Sequence, residues 1–209
     1  MLSVKNIIFL IGDGMGIASV SMMQLHNNYE PTIFDKAENI ALQKTYSADN
    51  RVTDSAASGT ALASGYKTNN TFLGVTADGV PVESLMEVAH GKGMATGVVV
   101  TTYLQHATPA AFYAHIDSRH EYQKITEQLT ASDLDVAIGG GMAYFEEVYG
   151  DNVKRALRKH GFELATTMDE VQMIDDRRVV ALLEDYEVGA NSGDYLAEAT
   201  SEALRLLNA

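Results

Sequence analysis

Short apolar runs rich in β-branched residues alternate along this chain with segments whose apolar positions recur at helical spacing. The runs predict strands at Asn6 to Ile11, Ile40 to Tyr46, Ala95 to Thr101, Leu134 to Ile138 and Arg178 to Leu183. Helical patterns cover Ile17 to His26, Ser55 to Ser64, Pro81 to His90, Tyr122 to Leu129, Asn152 to His160 and Tyr195 to Leu207. Gly91 and Gly161 follow two of these where a helix would end. The alternation predicts an α/β fold, a three-layer α/β/α sandwich around a mostly parallel sheet. No repeat, low-complexity tract or linker divides it, so one domain over residues 1–209 is expected. Leu196, Ala199, Ala203 and Leu206 share one face of the last helix, which predicts that it packs. The pattern then stops at Asn208 and Ala209 with no following strand, so a sheet incomplete on one side is expected.

Composition changes this picture only at its edges. The 46% hydrophobic content and 3 prolines describe a globular protein. Acidic residues outnumber basic ones 28 to 15, a formal charge of −13, which disfavours nucleic acid as a partner. An anionic small substrate remains compatible, because a local arginine or a metal can reverse the field inside a cleft. Cysteine is absent, so any metal would be held by oxygen and imidazole. No apolar run is long enough to span a bilayer, and MLSVK lacks the apolar core of a signal peptide. Either the protein is cytoplasmic or a leader has been removed.

Three stretches carry candidate chemistry. In NIIFLIGDGMG (residues 6–16), Asp13 stands between two glycines at the mouth of what reads as a buried strand. Ligands of open α/β sheets bind there, while a turn in which Asp13 bonds its own backbone is the plainer alternative. The GxGxG spacing does not match the dinucleotide fingerprint. In RVTDSAASGTALASG (residues 51–65), Asp54 and Ser55 open a helix of small residues. They are either a simple N-cap or place the Ser55 hydroxyl where a helix start favours an anion. A serine needs a base or a metal to act as a nucleophile, and no histidine adjoins, so a metal is the expected activator. In TTYLQHATPAAFYAHIDSRH (residues 101–120), His106 and Thr108 precede Pro109 at a helix start, and Arg119 has the fork to clamp a phosphoryl group. Singly, these three also read as a surface polar group, a cap and a solvated charge.

Together, NIIFLIGDGMG, VTDSAASGTALASGYKTNN and HATPAAFYAHIDSR, in that order, resemble the N-terminal half of the alkaline phosphatase family. The resemblance runs from Asn6 to Gly141 and more loosely to the last helix. It implies metal-dependent hydrolysis of phosphate monoesters through a phosphoserine on Ser55, with Arg119 gripping the phosphate and Asp54 orienting Arg119. It further implies that Asp13 bridges a zinc and the magnesium, that Ser55 lies at the zinc pair, and that Thr108 serves the magnesium site. His106 stands where the family carries Asp or His, close to magnesium and usually acting through water. Two zinc ions and one magnesium, small phosphate monoesters and inorganic phosphate as partners, a homodimer and a periplasmic or extracellular location complete what the family implies.

The family's remaining ligands are a Glu, an Asp-x-x-x-His pair, an Asp-His pair and a further His. No Asp stands four before any of the 6 histidines, and no Asp-His dipeptide occurs. His115 and His160 fit ordinary helix positions. The resemblance is therefore to a truncated member, expected to be inactive by itself. A non-catalytic phosphate- or metal-binding domain of the same fold, and a phosphodiesterase or sulfatase of the same superfamily, stand as alternatives.

Overall fold

The computed structural model describes residues 5–175, 178–189 and 193–208. The chain forms two compact units, residues 1–44 and 45–209. In the first, α1 (Ile17–His26) has the expected bounds but buries none of its residues. Asn6 to Ile11 is not the buried strand its sequence predicts. It joins no sheet, and Ile7 and Leu10 are 74% and 82% exposed. Apolarity signals a segment that favours burial, but a strand also needs a laddered neighbour, and none pairs with this run among the described residues. The stretch from Ile40 to Tyr46 departs from expectation in the same way.

The second unit runs α2 (Ser55–Ser64), α3 (Leu85–Gly91), β1 (Gly97–Tyr103), α4 (Ala107–Ala110), α5 (Tyr122–Ala131), β2 (Val136–Gly140) and α6 (Met142–Tyr149). It continues with α7 (Val153–Lys159), β3 (Glu163–Ala165), α8 (Met168–Met173), β4 (Val179–Leu182) and α9 (Tyr195–Leu207). The four strands pair in the order β1-β2-β4-β3, every pairing parallel. Side chains alternate across the two central strands, and both faces are covered. Val136, Ile138, Val179 and Ala181 meet Val171 of α8 and Ala199, Ala203 and Leu206 of α9. Ala137, Val180 and Leu182 meet Ile125 and Leu129 of α5, Phe145 of α6 and Leu157 of α7. The predicted three-layer α/β/α architecture is what forms.

Differences from the expected elements have local causes. β3 is three residues long with only Leu164 as a large apolar side chain, too little to read as a run. Leu196 does not join the buried face of α9 and is 47% exposed; Tyr195 turns inward instead and donates its hydroxyl to Val100 O at 2.9 Å. α3 starts at Leu85, not Pro81, because Ser84 and Glu87 form a capping box: Glu87 N–H donates to Ser84 Oγ at 3.2 Å and Ser84 N–H to Glu87 Oε2 at 2.7 Å. The other carboxylate oxygen of Glu87 lies 2.9 Å from Nε2 of His115, whose Nδ1 faces Gly74 O at 2.7 Å.

Burial raises the Glu87 carboxyl, but the Ser84 amide and the His115 ring together outweigh it and hold the group below its ordinary value of 4.5. A carboxyl lowered on folding stabilises the fold above its unfolded pKa, and that contribution is lost as pH falls through the lower folded value. Glu87→Gln removes it. In urea unfolding from about pH 3 to about pH 6, the stability gap between native protein and variant should widen as pH rises. A gap independent of pH would contradict the assignment.

Candidate active site

The site is built from the start of α2. Asp54 is its N-cap, in extended conformation, and Oδ1 accepts Ala57 N–H at 2.9 Å. Its other oxygen turns away from the helix: Oδ2 accepts Thr71 N–H at 3.1 Å and Nη1 of Arg119 at 3.2 Å. One oxygen of Asp54 thus caps the helix and the other contacts Arg119. Ser55, the first residue of α2, follows directly and is half-buried. Gly65 in the left-handed conformation ends the helix, giving it the predicted bounds.

Two residues that the sequence reading did not single out complete the frame. Asn70 accepts Asp54 N–H at 3.1 Å and donates Nδ2 to Val52 O at 3.0 Å, pinning the turn before the helix. Its own N–H donates to Asp49 Oδ1 at 2.9 Å. That amide, with the Ser47 hydroxyl, holds the Asp49 carboxyl below its ordinary range. Thr71 has φ of +73°, a left-handed conformation that costs a β-branched residue about 1–3 kcal/mol. Its N–H serves Asp54, and its carbonyl accepts Arg119 N–H at 2.8 Å. The strained residue is therefore the backbone tie between the carboxylate and the arginine.

Arg119 retains 18% of its side-chain exposure and Asp54 23%, so the pair is partly desolvated. The second guanidinium nitrogen, Nη2, lies 3.3 Å from Nε2 of His106. Arginine only donates, so this imidazole nitrogen accepts and the ring proton belongs on Nδ1. His106 is the N-cap of α4, and Thr108 is half-buried within that short helix. α4 lies close against α2: a Cβ on Gly59 would sit 3.0 Å from Ala111 Cβ and 3.6 Å from Thr108 Cα. The structure thus brings Asp54, Arg119 and His106 into direct contact and carries Ser55 and Thr108 on neighbouring helices.

Asp13 belongs to the first unit. It stands exposed in a turn closed by Met15 N–H to Gly12 O at 3.0 Å, with Gly14 at φ +71°. A backbone turn forms here, and the buried strand expected to lead into it does not. Among the described residues no three acidic or imidazole side chains converge as a metal site. A zinc ion takes four ligands and magnesium six, so Ser55, Thr108 and His106 do not by themselves fit either ion.

Beyond His106 the wall is aromatic. The Tyr103 ring, at the end of β1, lies 5.3 Å from the His106 ring, edge to face. Burial pushes the Tyr103 phenol well above the ordinary tyrosine value, the Tyr122 hydroxyl adds to this, and Arg119 works the other way.

Asp54→Ala should destabilise the protein by about 1–2 kcal/mol through loss of the cap alone. Asp54→Asn keeps an oxygen for Ala57 N–H but no charge for Arg119, so it should lose less. Chemical unfolding of the three proteins measures the order native, Asn, Ala. Equal stability of Asp54→Ala and native protein would show that α2 does not depend on this cap.

The alkaline phosphatase family model matches residues 4–188. Alkaline phosphatase 4 of Bacillus subtilis is 35% identical over 196 residues, covering 87% of this chain and 42% of its own length. The alkaline phosphatase of Escherichia coli is also 35% identical over 196 residues, covering 78% of this chain and 42% of its own. A solved structure of a histidine-to-aspartate variant of TAB5 alkaline phosphatase, described with Mg bound in its M3 site, matches with a TM-score of 0.86 at 33% identity. It covers 94% of this chain and 58% of that one. The chain thus spans 42% of the length of the two curated relatives. With the fold, the family model and these relatives in agreement, the chain belongs to the alkaline phosphatase family.

Proposed function

We propose that this chain supplies the phosphate-gripping and nucleophile-bearing part of a phosphate monoester hydrolase. The observation that carries the reading is that one carboxylate, Asp54, both starts the helix headed by Ser55 and fixes Arg119. A phosphoryl group gripped by this guanidinium would lie beside a helix start, where backbone N–H groups and the dipole favour an anion. The Ser55 oxygen attacks phosphorus, its proton passes to solvent, and the bond from phosphorus to the leaving oxygen breaks. The departing alkoxide takes a proton from water and leaves as the alcohol. Water then attacks the phosphoserine, releasing inorganic phosphate and restoring the hydroxyl. Binding is concentrated on the phosphoryl group, so small phosphate monoesters with varied leaving groups are the substrate class.

Two zinc ions and one magnesium are the cofactors the family resemblance implies, and the Mg described for the TAB5 variant supports a metal requirement. Asp13, Ser55, Thr108 and His106 are this chain's proposed donors, and they fall short of a closed set. A homodimer in the periplasm or outside the cell is the proposed context. Among the described residues no helix is long and apolar enough to cross a membrane. The shortage of converging metal donors among the described residues also favours a second reading, a non-catalytic phosphate-binding domain of the same fold.

Residues 1–209 alone, with zinc and magnesium in excess, should turn over p-nitrophenyl phosphate negligibly. The protein in its complete natural form should do so readily, and acid quenching with a ³²P-labelled aryl phosphate should trap label on Ser55. Ser55→Ala should lose the label and several powers of ten in rate. Native rates in Ser55→Ala would remove the nucleophile assignment. An inactive complete protein that still binds phosphate would establish the second reading.

A further inference from the structure

Four tyrosines from four separate elements meet at the carboxyl edge of the sheet, beside Arg119. Tyr103 ends β1, Tyr122 opens α5, Tyr144 lies in the first turn of α6, and Tyr186 follows β4. Ring centroids are 5.8 Å apart for Tyr103 and Tyr122, 5.0 Å for Tyr103 and Tyr144, 4.7 Å for Tyr122 and Tyr144, and 5.8 Å for Tyr144 and Tyr186. These spacings fall in the range of favourable aromatic contacts.

The cluster is not part of the core. Tyr113, a core tyrosine, is 6% exposed and donates its hydroxyl to Leu104 O at 2.7 Å. Tyr103, Tyr122 and Tyr144 are only half-buried, and Tyr186 is 57% exposed.

The backbone also places the rings firmly. Between Val99, opposite Ile138, and Tyr103, opposite Gly140, the β1–β2 register slips, an irregularity of the kind that re-aims a side chain near a site. The loop bearing Tyr186 is tied to the start of α6: Gly141 and Met142 N–H donate to Glu184 O at 2.9 and 3.2 Å, and Ala143 N–H to Asp185 O at 3.0 Å. Gly140 is required there, since a Cβ would collide with the Tyr186 carbonyl.

The contacts run without a gap from this cluster to the phosphate grip, from Tyr103 to His106 at 5.3 Å and from His106 to Arg119 at 3.3 Å. We infer that the four tyrosines form an open shelf for the leaving group, which favours phosphate monoesters whose ester oxygen is carried directly by an aromatic ring. This deepens the reading of the site given above and rests on it. One imidazole separates the rings from the guanidinium, so a group attached at the phosphoryl oxygen reaches the shelf without a spacer. Stacking is non-directional within the ring plane, so the shelf would accept many aryl groups while passing over small aliphatic ones.

Phenylphosphonate, methylphosphonate and inorganic phosphate, titrated calorimetrically into the protein, test this without turnover. Phenylphosphonate should bind about 3- to 10-fold more tightly than methylphosphonate, the worth of one aromatic contact. Tyr186→Ala and Tyr144→Leu should each bring that ratio toward 1, while Tyr186→Phe and Tyr144→Phe preserve it. Tyr186 is exposed, so its variants retain the fold, which circular dichroism checks. A ratio near 1 in native protein, or one that survives loss of the rings, overturns the shelf even though phosphate binds. If inorganic phosphate itself fails to bind, the phosphate-site reading fails, and the shelf falls with it.

Discussion

The second carboxylate oxygen of Asp54 is the point on which the candidate site turns. Its first oxygen closes an orphan amide of α2, a demand that any helix makes. The second holds Arg119 in a partly desolvated pair, where a guanidinium would otherwise sample many rotamers. Because one side chain does both, the start of the Ser55 helix and the position of the arginine cannot move independently. Thr71 adds a backbone link to each partner and does so from a strained conformation. Strain persists only where surrounding contacts over-determine it, and here those contacts are the ties to Asp54 and Arg119.

The parallel sheet sets where this pair lies. β2 and β4 are buried on both faces, so a site can form only at the ends of the sheet, and the residues following β1 emerge at its carboxyl edge. His106, Thr108 and Arg119 follow from that edge, and α4 meets α2 where Gly59 leaves no room for a larger side chain. The close approach explains why α2 is made of small residues, which alone would form a helix with little to bury.

Much of this was legible in the sequence, for identifiable reasons. β2 and β4 read as strands because burial on both faces produces continuous apolar runs, and α2 read correctly because a cap, small residues and Gly65 mark both ends. The same logic over-reads Asn6 to Ile11, an apolar run that joins no sheet among the described residues. Asn70 and Thr71 escaped notice because they act through an amide and the backbone, sixteen or more positions from the residue they serve. The tyrosine cluster escaped because its members are scattered from 103 to 186 and converge only through the sheet. The S-x-x-E capping box at Ser84 was visible in the sequence and would have moved the start of α3 to its observed place.

Calorimetric titration of inorganic phosphate into native protein, Arg119→Ala and Arg119→Lys tests the central claim most directly. A charge-assisted bidentate contact is worth about 1.5–3 kcal/mol, so loss of the guanidinium should weaken phosphate binding by about 10-fold or more. Lysine restores the charge but not the fork, and should recover only part of the affinity. Phosphate affinity unchanged in Arg119→Ala would show that the arginine held by Asp54 faces something other than phosphate.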